Sequence, residues 1–243
     1  MMNQLASNRL ALITGGSQGL GAALVAHYRA QGWVVREFSR SGQSDAHVSA
    51  DFAEPDVAVM TLDAHFAEFA TQPWDEVLLI NNAGMLSPIA PLPQLQDAAI
   101  AANLNVNVMS AIRVIAAFMR RFQDVAATKT VVQISSGAAL RGYGSWSLYC
   151  AGKAALEHFI RAVAVEQAGA VRPVVCISLD PDVMDTRMQA EIRGTSADDF
   201  PDVARFIARR DKLRTPESVA VYVAGVVASG PEGGARYDIE EAD

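Results

Sequence analysis

Between an apolar run, Leu10 to Thr14, and a stretch of helical spacing, the chain places Thr14-Gly15-Gly16-Ser17-Gln18-Gly19-Leu20-Gly21. Glycines at a strand-to-helix turn let the backbone fold tightly and approach a pyrophosphate, whose charge the amides at the positive end of the helix then meet. Such glycines can also do nothing but turn, so context decides. Downstream, short β-branched runs alternate with longer helix-spaced stretches, the pattern of βαβ units and a parallel sheet. Strands are predicted near Leu10 to Thr14, Val34 to Ser39, His47 to Ala50, Val77 to Asn81, Thr130 to Ser135, Val174 to Leu179 and Arg236 to Ile239. Helices are predicted to start near Gly19, Val57, Leu95, Asn103, Trp146 and Pro216, the last capped by Thr215. The expected fold is α/β: a Rossmann-type doubly wound parallel sheet of about seven strands in a single domain spanning residues 1–243. One segment, Arg187 to Arg214, is too long for an ordinary loop and reads as a lid over a site or a surface elaboration.

Charge and cysteine usage narrow the classes of function. Apolar residues make up 51% and charged residues 19%, enough to fill a core. Twenty basic against 27 acidic residues give a net charge of −7, which repels nucleic-acid phosphates and anionic lipid. The densest basic stretch, Arg205, Arg209, Arg210, Lys212 and Arg214, reads as a solvated helix face. Two cysteines, Cys150 and Cys176, and four scattered histidines, His27, His47, His65 and His158, form no metal-ligand pattern. The apolar stretch Leu10 to Ala26 carries too many glycines and serines for a signal peptide, and the run Val219 to Ala228 is too short for a membrane span. A cytoplasmic protein that binds neither metal, nucleic acid nor membrane is expected.

The glycine spacing, G-x-x-x-G-x-G, differs from the G-x-G-x-x-G of long-chain dehydrogenases and resembles the T-G-x-x-x-G-x-G motif of the short-chain dehydrogenase/reductase family. Further motifs follow in that family's order: Asp51, Asn81-Asn82-Ala83-Gly84, Asn107, Ser136 and Tyr149-x-x-x-Lys153. The resemblance implies a phosphate turn of Gly15, Ser17, Gly19, Leu20 and Gly21, with Asp51 beside the adenine and Asn82, Ala83 and Gly84 lining the cofactor cleft. Asn-Asn-Ala-Gly would also close a strand as plain turn chemistry. At the end of the second strand the family's acidic, NAD-selecting position falls at Ser39, followed by Arg40. A hydroxyl and a guanidinium suit the extra phosphate of NADP, although Gln18 occupies a place where many NADP-using relatives are basic. Past the sixth strand the family's P-G-x-x-x-T reads Pro181-Asp182-Val183-Met184-Asp185-Thr186, which by resemblance puts Pro181 and Val183 at the cofactor and Thr186 at its nicotinamide amide. Asp182 stands in the glycine position, and Asp accepts positive φ less readily than Gly.

Tyr149 and Lys153, four apart, share one helix face. A phenol is a poor acid or base at neutral pH, and a neighbouring ammonium lowers its pKa. With only three lysines in the chain, a lysine at this spacing is less easily accidental. By resemblance, Tyr149 donates a proton to a carbonyl oxygen, Ser136 hydrogen-bonds that oxygen, Lys153 holds the nicotinamide ribose and Asn107 positions a relay water. Ser136 is preferred to adjacent Ser135 because it precedes Tyr149 by thirteen residues.

The stretches around Trp146, Asp185 to Gln189 and Gly234 to Asp238 resemble sepiapterin reductases and bacterial benzil reductases, which reduce vicinal dicarbonyls with NADPH. Alternatives are reduction of another carbonyl, such as a 3-oxoacyl thioester, and a non-catalytic NADP-binding regulator. Trp146, with Ser136 and Tyr149, is expected at the small-molecule carbonyl substrate. Asp238 is either a pterin anchor, as the resemblance implies, or a solvated acid beside Glu240, Glu241 and Asp243. A homodimer is expected through the helices from Asn103 and Trp146, with Val114, Phe118, Phe159 and Val163 either on the pairing face or in the core.

Overall fold

The structure is a computed structural model that describes residues 8–239 of the chain; Glu240, Glu241 and Asp243 lie outside the described residues. Seven parallel strands form one sheet: β1 (Arg9–Thr14), β2 (Val34–Ser39), β3 (His47–Ser49), β4 (Glu76–Asn81), β5 (Thr128–Ile134), β6 (Val174–Asp180) and β7 (Arg236–Asp238). Their order, β3-β2-β1-β4-β5-β6-β7, reverses direction between β1 and β4, and in sheets of this kind the crevice beyond the strand ends at that switch point is the ligand site.

Central strands bury side chains on both faces, as a doubly covered parallel sheet requires. On one face α1 (Gly19–Ala30) packs against α8 (Pro216–Ala228), burying Leu24, Val219 and Val223 over Ile13 and Ile80. Thr215 caps α8, its Oγ1 accepting the Ser218 amide at 3.2 Å, with Pro216 in the first turn, as the sequence leads one to expect. The other face carries α2 (Pro55–Ala70), α4 (Ala111–Phe122) and α5 (Ser147–Gln167), whose core centres on Phe66, in edge contact with Phe38, Phe118 and Phe122.

The sequence suggested separate helices from Leu95 and Asn103. Instead α3 (Asp97–Leu104) runs into α4 through a π-helical turn, Asn105–Ser110. The combined stretch Asp97–Phe122 is long and apolar enough by composition to match a membrane span, but here it packs against α2 and α5. Three of the four residues considered for a pairing face belong to the chain's own core: Val114 and Phe118 are fully buried and Val163 nearly so, while Phe159 is partly buried against them.

The segment Arg187 to Arg214 folds into α6 (Arg187–Arg193), α7 (Val203–Ala208) and a short 3-10 turn. Backbone bonds from Asp185 and Val183 to Arg214 tie its two ends together. Phe200 from this segment stacks on Trp146 at 4.9 Å between ring centroids, and Phe206 lies 5.2 Å from the same ring.

Candidate active site

A cleft of about 840 Å³ opens beyond the carboxyl ends of the strands. Its floor at β1 depends on glycine. Gly15 and Gly19 hold φ of +68° and +54°, and a Cβ on Gly21 would sit 2.0 Å from the Gly15 carbonyl. Thr14 Oγ1 accepts the amides of Asn82 and Ala83 at 2.9 and 3.0 Å, and Asn82 Nδ2 donates to the carbonyls of Thr14 and Gly15. Asn82 therefore stitches the ends of β1 and β4 as well as facing the cleft. The sequence left turn chemistry and cleft lining as alternatives, and the fold uses both.

The other cofactor candidates, Ser17, Leu20, Ser39, Arg40, Asp51, Gly84, Pro181, Val183 and Thr186, line the same cleft, and so does Gln18. Ser39 Oγ is buried without a protein hydrogen-bond partner beside exposed Arg40. An orphaned hydroxyl next to a guanidinium fits the ribose phosphate end of a dinucleotide. The nearby acid, Glu37, is turned away and pairs with His47 Nδ1 at 2.6 Å. At the opposite end Thr186 closes over the glycine turn, its Cγ2 lying 3.3 Å from where a Cβ on Gly19 would stand.

One face of α5 carries Tyr149, Lys153 and Glu157, each four residues apart and buried. The Lys153 ammonium donates to the Ile134 carbonyl at 2.8 Å and lies 5.5 Å from the centroid of the Tyr149 ring. Burial pushes the lysine down to about 8. Burial pushes the Tyr149 phenol up to about 12, opposed by its hydrogen bond with the Ser136 hydroxyl. The expectation that the lysine lowers the phenol is thus outweighed by desolvation, and the group holding the phenol down is Ser136.

Ser136 and Ser135 divide their roles by environment. Ser136 Oγ accepts the Ala138 amide at 3.2 Å, while Ser135 Oγ is occupied by Glu157 and by Arg236 Nη1 at 3.0 Å. Asn107 is absent from the cleft surface. Its Oδ1 accepts the Met85 amide at 3.0 Å, and its Nδ2 donates to the Met85 carbonyl at 2.7 Å and to Asn103 Oδ1 at 2.9 Å. These bonds occupy the side chain in holding the loop after β4, and its Oδ1 and the Lys153 ammonium both lie beside Gly84.

Trp146 faces the cleft as expected. Asp238 does not line it: its carboxylate is exposed and paired with Arg236 Nε at 2.9 Å. The acids that do reach the cleft from this side are Asp182 and Asp180, the latter held by Arg236 Nη2 at 2.7 Å and by the Asp182 amide at 3.0 Å; burial pushes the Asp180 carboxyl up. Arg236 thus joins the ends of β5, β6 and β7 to α5 through Glu157. Sequence reasoning missed this hub because its partners lie 56 to 101 residues away. It also missed Tyr143 and Phe206, whose rings join Trp146 in an aromatic wall. Tyr143, three residues before Trp146, is the one of these that a closer look at the motif's flank could have found.

The cleft thus joins a glycine turn at β1 to a Ser136-Tyr149-Lys153 group. The chain is 34% identical to benzil reductase ((S)-benzoin forming) of Bacillus subtilis, over 96% of this chain and 98% of that one. It is 30% identical to sepiapterin reductase of Mus musculus over 77% and 78%. Among solved structures, a short chain dehydrogenase from Burkholderia cenocepacia in complex with NADP superposes with a TM-score of 0.76 at 30% identity, over 99% of both chains. A sequence model described as short chain dehydrogenase matches residues 9–197, and the chain belongs to that family of NAD(P)-dependent oxidoreductases.

Proposed function

We propose that this protein is an NADPH-dependent reductase of vicinal dicarbonyl compounds with an apolar, aromatic body. The observation that carries the reading is the position of the Tyr149 phenol, beside Ser136 and within reach of Lys153, in a cleft whose wall is built from Tyr143, Trp146 and Phe206. The flat rings of that wall suit a flat aromatic substrate. The names of the Bacillus subtilis and mouse relatives support the substrate class, and the NADP-bound Burkholderia cenocepacia structure supports the cofactor.

Gly15, Gly19 and Gly21 would receive the pyrophosphate, Ser39 and Arg40 the ribose phosphate, Asp51 the adenine, and Pro181, Val183 and Thr186 the nicotinamide. NADPH held by these residues would supply the hydride that reduces the carbonyl carbon. Tyr149, neutral up to about pH 12, donates its proton to the carbonyl oxygen. Ser136 uses one lone pair for the Ala138 amide, and its O–H, which meets the Tyr149 phenol here, turns to the same carbonyl oxygen when substrate is bound. Lys153, charged below about pH 8, stabilises the phenolate left behind and returns a proton to it. Asn107 is a positioning residue that fixes Gly84 and Met85 opposite the lysine. The segment Arg187 to Arg214 acts as the lid, anchored on Trp146 through Phe200.

The test is NADPH oxidation by the purified protein with benzil, sepiapterin and an acetoacetyl thioester in parallel. Benzil is expected to give the highest kcat/KM. Faster turnover of the thioester would replace the dicarbonyl reading, and NADPH binding without turnover of any carbonyl would make the protein a cofactor-binding regulator.

A further inference from the structure

Part of the basic stretch that sequence reasoning left as a solvated face borders the cleft: Arg205 within α7 and Arg209 at its C-cap, of which Arg209 has a partner of its own. Arg141 lines it from the loop after β5, and Arg187 from the start of α6. The carboxylates on this side are Asp180, already bonded to Arg236, and Asp182. In a chain with a net charge of −7, Arg141, Arg187 and Arg205 therefore bring more positive charge to this end of the cleft than Asp182 offsets.

The cofactor's phosphates do not account for Arg141 and Arg205. Arg40 and the glycine turn serve the ends of β2 and β1, whereas Arg141 follows β5, three strands from β2 in the sheet order. At ~4.8 Å per strand, that separation is roughly 14 Å. Arg205 adjoins Phe206, which packs on Trp146 at 5.2 Å, and Trp146 in turn meets Tyr149 edge-on at 6.2 Å. Arg141 lies over the Tyr143 ring at 4.6 Å and donates both Nε, at 2.7 Å, and Nη2 to the Tyr143 hydroxyl, leaving Nη1 without a hydrogen bond among the described residues. Among the described residues the Arg205 guanidinium makes no hydrogen bond or ion pair. Both cations thus flank the aromatic wall.

We propose that Arg141 and Arg205 form a subsite for an anionic group, so that the preferred substrate is an aromatic carbonyl compound bearing a carboxylate away from the reacting carbon. This deepens the reductase reading and rests on it. The aromatic body packs on Tyr143, Trp146 and Phe206, and the anion meets guanidinium donors at the cleft mouth. Attraction at a partly exposed mouth acts over long range and is screened by salt.

The experiment compares benzil with benzil-4-carboxylate at saturating NADPH, from about 0.01 M to about 1 M salt, where the screening length falls from about 30 to about 3 Å. The expected result is a roughly tenfold preference in kcat/KM for the carboxylate at low salt, shrinking toward one at high salt. Arg205→Ala lowers the preference several-fold, and Arg205→Glu brings it below one. A wild-type ratio near one that ignores salt would overturn the proposal, as would Arg205 variants that raise the KM for NADPH and leave the ratio unchanged. If neither compound is turned over, the reductase reading falls by itself. The subsite is then decided by calorimetric titration of biphenyl-4-carboxylate into the NADPH-loaded protein: saturable binding lost in Arg205→Glu sustains it, and no difference between the two proteins rejects it.

Discussion

Asp182 holds φ of +54° where the family pattern has glycine, and its amide donates to Asp180 Oδ1 at 3.0 Å. The sequence raised the question of backbone conformation there, and the answer is that the left-handed turn is kept in spite of the side chain. Strain of this kind costs about 1–2 kcal/mol and is partly offset by the greater unfolded-state freedom of glycine. Asp182→Gly should therefore stabilise the protein by about 0.5–1 kcal/mol, seen as a higher urea midpoint at unchanged slope; a lower midpoint would mean that the carboxylate contributes more than the turn costs. Tyr149 and Lys153 were legible as a pair because helical spacing alone puts them on one face. Their pKa values were not, since burial is a property of the packed molecule: it sends the phenol up and the lysine down. On the proposed mechanism the charged lysine and the neutral phenol are the active forms, so kcat should be level below about pH 8 and fall above it as Lys153 loses its proton. A profile that stays level to pH 10 would remove Lys153 from that role.

At the end of β2, Ser39 and Arg40 face the cleft while Glu37 is engaged by His47, and we propose that this end selects the cofactor. Arg40→Ala should weaken NADPH binding about 10–100-fold and NADH binding far less, because only NADPH carries the phosphate that the guanidinium grips. Equal losses, measured by cofactor fluorescence titration, would take Arg40 out of that role. Strands and glycine turn were readable because each is a local pattern: two-residue alternation or a continuous apolar run, then glycines where φ must be positive. The π-helical turn around Asn107 was not, because a single widened turn leaves the helical spacing on both sides intact. The hub at Arg236 was hidden for another reason. Its carboxylate partners come from α5 and β6, and only the sheet order brings those elements beside β7. Asp238, picked out by likeness of a short stretch, is held by the same arginine. Asp238→Asn should accordingly shift the Michaelis constants for sepiapterin and benzil in parallel; a selective rise for sepiapterin would restore it as an anchor.

The molecule as a whole sacrifices stability at its catalytic floor. Lys153 is charged at neutral pH although burial lowers its folded pKa from 10.5 to about 8. Its destabilisation, about 3 kcal/mol at most, is present in full below about pH 8 and is relieved as the pH rises toward 10.5. Lys153→Met should consequently raise the melting temperature at pH 7 by about 2–5 °C while abolishing turnover, a trade of stability against activity. A lower melting temperature would mean that the bond to Ile134 outweighs the desolvation. We also expect a homodimer in solution. Three of the four residues first considered for its interface lie in the core, so pairing over α4 and α5 must use partly buried Phe159 and exposed positions near it, such as Met109 and Val165, and light scattering reads the mass directly. The central claim, that Tyr149 is the proton donor of an NADPH-dependent carbonyl reductase, is tested most directly by Tyr149→Phe, with benzil turnover and NADPH affinity measured on the same preparation. The account predicts kcat lower by about 10²–10⁴-fold with NADPH affinity unchanged; turnover near the wild-type rate in that variant would contradict it.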